Sequence, residues 1–426
     1  MKRLFFTFLS LVLTAGLYAQ DVKALIAEDP GRVGNNMHVY EFCEIRDTPA
    51  PKGFKPFYIN HYGRHGSRYE QNSTFADVTI RDFRLLDSLN LLNDAGKKLF
   101  SDVVTVKDAH VGMEGALSPR GAQEHRTIAA RMAKRYPAVF KNKSRQEVDC
   151  IASTSQRCIV SMTNFSYGLK EVYPGLDFTF DSASKYMKYI NPSLRVNAPG
   201  KVLIRPVPHD YSVQGYDFTR FISGIVTDKN AALAVIENPE RFVKGIYDAG
   251  RYCPLIDFLG IEILAKYFSL EELEYFWAEN NDEIYLQWGD SQENGDNVRW
   301  AARPLLQDFI DKADEALKAG SHRAADLRFG HDTALLPFFS LLGLDDPQDR
   351  SLPVKEAHSY NWYSFFQIPM ASNCQMVYYR NRNGEVLTKI LYNEKEVTLP
   401  GLKTDMAPYY RWDDLKAYFE KLIAWE

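Results

Sequence analysis

Cysteine is scarce in this 426-residue chain: Cys43, Cys150, Cys158, Cys253 and Cys374, with no CxxC pair and no Cys/His ligand spacing. That pattern argues against a structural zinc site, which draws thiolates and imidazoles from closely spaced pairs. The odd count leaves at least one thiol free, and burial as small apolar side chains accounts for the cysteines as well as any pairing does. Long apolar runs are missing beyond the first twenty residues, so no membrane span is expected, since one needs about 20 apolar residues. Low-complexity tracts, internal repeats and blocks of basic residues are also lacking, and the net charge is −4. Nucleic acid is therefore not an expected partner.

What is present is an ordinary globular composition, 45% hydrophobic and 25% charged. The length suggests two or three domains around sizeable cores. The N-terminus is a separate element: Lys2 and Arg3 precede an apolar stretch over residues 4–17 that ends in "LYA". This reads as a cleaved export signal over residues 1–19, with the mature chain starting near Gln20 in the periplasm or outside the cell. No cysteine follows Ala19, so a lipid anchor is not expected.

The stretch "FYINHYGRHGSRYE" begins as a buried strand and breaks into a glycine-flanked turn carrying Arg64, His65 and Arg68. Helical periodicity follows over residues 73–110, and Ser118-Pro119 starts another helix that stops near Pro137. A short strand over residues 147–153 then leads through a polar turn into a helix carrying Arg157. Aromatic-rich helical segments fill residues 206–317. A second strand-to-helix junction, "RFGHDTALLPFF", carries His331 and Asp332. Near the C-terminus, alternating segments flank Asn383-Gly384, a hairpin signal. The expected fold is α/β: a three-layer sheet domain with helices on both faces, plus an inserted, mostly α-helical cap. Residues 20–205 and 319–426 would form the sheet domain and residues 206–318 the cap, with the site at the carboxyl ends of the strands.

Two guanidinium groups around one imidazole in such a turn suggest phosphate chemistry. Arginine binds phosphate through two parallel charge-assisted hydrogen bonds, and a neutral imidazole can attack phosphorus. An alkoxide leaving group needs a proton, which Asp332 could supply, while His331 could bond a phosphoryl oxygen. Arg157 would add a third guanidinium. Each piece alone has a plainer reading: a solvated basic turn, a helix cap, a surface arginine. Together they favour a phosphatase.

In this order and spacing the three pieces resemble the histidine acid phosphatase family, whose members carry Arg-His-Gly-x-Arg and a distal His-Asp. The likeness extends over nearly all of the mature chain, including "LSPRGAQEH" and the closing "NCQMVYYR" and "VLTKILYNEKEV" blocks. It implies an α/β domain with an α domain, and a phosphohistidine intermediate formed without metal or other cofactor. His65 would be the nucleophile, Asp332 the proton donor, and Arg64, Arg68, Arg157 and His331 the phosphate ligands. Within the family, "LYNEKEV" and "YFWAENNDEIYLQWG" resemble the multiple inositol polyphosphate phosphatases and related phytases. Two departures stand out. That subgroup has His-Ala-Glu where this chain has His331, Asp332 and Thr333, and the family's proline after the motif is Glu70 here.

The expected activity is therefore that of an exported phosphomonoesterase acting on a phosphorylated small molecule, an inositol polyphosphate such as phytate, at weakly acidic pH. A general or sugar-phosphate acid phosphatase, a phosphomutase and a non-catalytic phosphate-binding module remain alternatives. His61 and His125 are expected to be structural, His61 as a hydrogen-bonded core histidine. Lys185, Lys188, Arg195, Lys201 and Arg205 form a basic stretch that either meets remote phosphates or is solvated. Asp282 and Glu283 are expected in the core and rim of the cap.

Overall fold

The computed structural model describes residues 21–192, 216–344 and 351–424, with the side chains of residues 358–360 left aside. The expected export signal, the cap boundary at residues 205/206, and Arg195, Lys201 and Arg205 lie outside the described residues.

Eight strands form one mixed sheet: β1 (Lys55–Arg64), β2 (Glu147–Ala152), β3 (Asp177–Asp181), β4 (Arg323–Gly330), β5 (Asn373–Arg380), β6 (Val386–Tyr392), β7 (Lys395–Val397) and β8 (Tyr409–Arg411). The order is β3-β2-β4-β1-β5-β6-β7, with β8 also on β6. The first four in that order run parallel, and β5 to β8 pair antiparallel. The expected hairpin is β5–β6, closed by residues 381–385 around Gly384.

Alternate side chains of the strands point to opposite faces, and both faces are buried. Ile59, Leu327, Phe329 and Val377 face the helices Pro119–Arg135 and Gln156–Val172. Tyr58, Tyr62, Met376 and Tyr378 face the other way, toward the helices Gly295–Leu317, Asp332–Leu341 and Trp412–Ala424. This is the three-layer α/β arrangement expected from the sequence.

A separate helical core stands beside the sheet, and its membership differs from residues 206–318. It joins Phe221, Phe242, Ile246 and Phe276 to Phe83, Leu86, Leu99 and Val103 from the helices Asp77–Ser88 and Asp94–His110, and to Val33 and Met37 near the N-terminus. The helix Gly295–Leu317 instead packs Leu305, Leu306 and Phe309 beneath the sheet. Periodicity in a sequence marks an apolar face but does not say which core that face joins. All five cysteines are free thiols, four of them buried. No described helix is long and apolar enough to cross a membrane.

Candidate active site

β2, β4 and β1 lie side by side and run parallel, so their carboxyl ends meet at one edge. Arg64 is level with Gly330, and Ala152 with Phe329. His65 N donates to Gly330 O at 2.9 Å, and Ser153 N to Phe329 O at 2.9 Å. The sheet register therefore brings together three fragments that are far apart in sequence.

The turn after β1 is clamped from below. A Cβ on Gly66 would lie 2.6 Å from the carbonyl oxygen of Gly121, and one on Gly121 would lie 2.2 Å from that of Ser67. Backbone meets backbone here, and only hydrogen fits. One turn along the Pro119–Arg135 helix, buried Glu124 accepts Ser67 N at 2.8 Å and Ser67 Oγ at 2.7 Å. The "LSPRGAQEH" stretch thus shapes the motif loop.

His65 is buried, and its Nδ1 lies 3.0 Å from Gly66 O. A carbonyl only accepts, so Nδ1 carries the proton and Nε2 keeps its lone pair. Burial, followed by Arg64, Arg157, His331 and Arg68, holds its pKa well below the ordinary 6.5. The His331 ring stands edge-on at 5.6 Å. Arg157 Nη2 approaches His331 Nδ1 at 3.4 Å, and Ser153 Oγ lies 2.8 Å from Nε2. Because a guanidinium only donates, Nδ1 accepts and the Nε2–H points to Ser153. Burial, then Arg157, lowers the His331 pKa to about 4.

Arg64 donates to Ile368 O at 2.7 Å and to Asn36 O, and its Nη2 pairs with Asp332 Oδ2 at 2.8 Å. Burial lowers the Arg64 pKa to about 10. Asp332 Oδ2 also accepts Asn36 Nδ2 at 2.8 Å. Burial would raise the Asp332 pKa, but Arg64, His331 and Asn36 outweigh it and hold the carboxyl below its ordinary value. Arg68 donates to Tyr69 O at 2.9 Å. The Nε of Arg64, Arg68 and Arg157 are all buried without an acceptor among the described residues. Unmatched donors of this kind around one imidazole suit an oxyanion.

All six candidate residues thus lie at the strand ends, in a single cluster. Lys185 and Lys188 are exposed outside it, with Lys185 facing Asp181 at 3.7 Å. His61 departs from the expected hydrogen-bonded state: both ring nitrogens lack a partner among the described residues, and the ring packs on Phe165 and Phe329 instead. Asp282 is buried, which raises its pKa to about 7, and Glu283 is exposed. Sequence reasoning missed Asn36, Ser153 and Glu124. Ser153 and Glu124 sit within the quoted motif stretches, whereas Asn36 lies in the short 3-10 helix Pro30–Met37, beside a kink at Asn35, with no sequence pattern to mark it.

Comparison with known proteins gives this geometry its class. The family described as "Histidine phosphatase superfamily (branch 2)" matches residues 63–198. The resemblance read from the motifs is borne out, and with it the enzyme class, a phosphatase with the histidine acid phosphatase fold. Among individual relatives, human multiple inositol polyphosphate phosphatase 1 is 23% identical over 407 residues, covering 84% of this chain and 78% of its own. The multiple inositol polyphosphate phosphatase of Bifidobacterium longum, solved with inositol hexasulfate, superposes with a TM-score of 0.72 at 18% identity, covering 91% of this chain and 97% of that one. The phytase of D. castellii follows at 0.65 and 16%, covering 92% and 85%.

Proposed function

We propose that the protein hydrolyses phosphate monoesters of inositol polyphosphates, phytate among them, through a phosphohistidine at His65. The observation that carries this reading is the His65 imidazole with its Nδ1–H tied to Gly66 O, set among three guanidinium groups whose buried Nε donors have no acceptor among the described residues. The Nε2 lone pair attacks phosphorus as the ester P–O bond breaks, and Asp332 gives a proton to the departing alkoxide. Arg64, Arg68 and Arg157 hold the phosphoryl oxygens as charge develops. His331 joins them by exchanging tautomer, so that Nδ1–H faces the phosphoryl group and Ser153 Oγ donates to Nε2. Water then attacks the phosphohistidine and loses its proton to Asp332. The P–N bond breaks and inorganic phosphate leaves. Throughout, the Gly66 carbonyl stabilises the positive charge that arises on the phosphorylated ring.

The choice of inositol polyphosphates is supported by the names of the human and B. longum relatives and by the latter's inositol hexasulfate complex. The test is phosphate release from phytate against a simple monophosphate, with a chelator present and His65→Ala as blank. A clear kcat/KM preference for phytate is expected. Equal turnover of the monophosphate would make the protein a general acid phosphatase, and no release from either would defeat the mechanism. The pattern of residues 1–19 supports export. N-terminal sequencing of the protein from its host should begin near Gln20, and an intact Met1 would overturn that reading.

A further inference from the structure

Resting on the phosphatase reading above, we propose that Glu70 is an internal competitor for the phosphate cradle: its carboxylate pairs with Arg68 and weakens the hold on phosphate. Three observations converge on it. Glu70 Oε2 lies 3.8 Å from Arg68 Nη1, with both side chains largely buried. Its other contact is a hydrogen bond donated by the Tyr252 phenol, on the last residue of the helix Pro239–Tyr252. Its charge also reaches Arg157 and Arg251, so one carboxylate faces three guanidinium groups at the cradle's outer side.

A cradle built only of cations would bind product as tightly as substrate, and uniform binding adds nothing to turnover. An anion fixed beside Arg68 offsets part of that attraction, because like charges brought together across a binding site are costly. Tyr252 sets the balance. Its hydroxyl holds the carboxylate back at ion-pair distance from Arg68, where a direct hydrogen bond would leave less of the guanidinium for phosphate. Arg251 Nη2 reaches the same phenol at 3.4 Å, so the helical layer, through its helix end, controls how much of Arg68 the substrate meets.

Two variants test this with opposite signs. Glu70→Gln keeps the shape and the bond to Tyr252 but removes the charge. Its inhibition constant for inorganic phosphate should fall about tenfold, and KM for phytate should fall with it. Tyr252→Phe releases the carboxylate onto Arg68, and the same constant should rise severalfold. An unchanged or raised constant in a folded Glu70→Gln protein overturns the proposal. If Glu70→Gln does not fold, Tyr252→Phe decides: a rise supports the proposal, and no change or a fall overturns it. Calorimetric titration of inorganic phosphate onto wild type and both variants gives the same comparison without turnover, so a failed phosphatase reading would not be mistaken for a failed competitor.

Discussion

Asp332 Oδ2 lies 2.8 Å from Nη2 of Arg64, the residue directly before His65 in the chain. The proposed proton donor and the neighbour of the proposed nucleophile are thus an ion pair, and the carboxyl is held below its ordinary pKa of 3.8. A proton for the leaving group must then arrive with the substrate, whose phosphate monoanion persists only up to about pH 6. His65 stays neutral well below 6.5, so the nucleophile is not lost on the acid side. We expect kcat/KM to be highest in acid and to fall above about pH 6. The profile should be measured at constant ionic strength. A rate still climbing toward alkaline pH would remove Asp332 from the role.

Replacing Asp332 by Asn should separate substrates by leaving group. An inositol or alkyl alkoxide needs the proton, so its turnover should fall by about 10²–10⁴. Nitrophenolate leaves without one, so p-nitrophenyl phosphate should lose much less. Equal losses on both would point to a purely structural role.

Arg157 is the cradle residue whose value lies in its shape. Its Nη2 orients His331 Nδ1 at 3.4 Å while its Nε remains free for the ligand. Arg157→Lys keeps the charge but not the planar fork. We expect kcat/KM to drop on the order of 100-fold with the melting temperature little changed. Wild-type kinetics in this variant would show that Arg157 supplies only charge.

Much of this site was legible because its chemistry is written in short local words. Arg64, His65 and Arg68 fall within one turn, and His331 and Asp332 within another. The strand-to-helix junctions that carry them follow from residue type alone. Their meeting is a matter of parallel register, which local patterns imply only through the expected fold. Asn36 was illegible for a different reason. It is held by long-range contacts to Arg64 and Asp332 from a short 3-10 helix, Pro30–Met37, that is kinked at Asn35 and too short to show a period. The helical core likewise recruits Phe83 and Val103 from ahead of the expected cap, because an apolar helix face does not name its partner.

The contact between Gly66 and Gly121 predicts a strong steric effect. In Gly121→Ala the new methyl would sit 2.2 Å from Ser67 O and 2.6 Å from Ser67 N, both backbone atoms that no rotamer change can move. The motif loop would have to shift. A loss of about 1–3 kcal/mol is expected in denaturant unfolding, with activity reduced further because His65 moves with the loop. The test is to compare this variant with Gly224→Ala, where a Cβ meets nothing within 4 Å. Similar behaviour of the two would mean that the loop is not clamped.

His61 supplies a prediction about stability that is independent of catalysis. Burial, then His125 and Arg328, keeps its folded pKa well below 6.5. In the unfolded chain it takes a proton below about 6.5, while in the folded protein it does not. Unfolding therefore gains protons, and His61 costs the native state stability as pH falls through that range. Above it both states are neutral and the effect vanishes. Relative to His61→Phe, the wild type should lose about 1.4 kcal/mol for each pH unit below about 6.5. Urea unfolding of both proteins between about pH 5 and pH 7.5 measures the difference. A difference that is flat across the acid range would mean that His61 titrates inside the folded protein, and that its unpartnered ring nitrogens find a proton acceptor there.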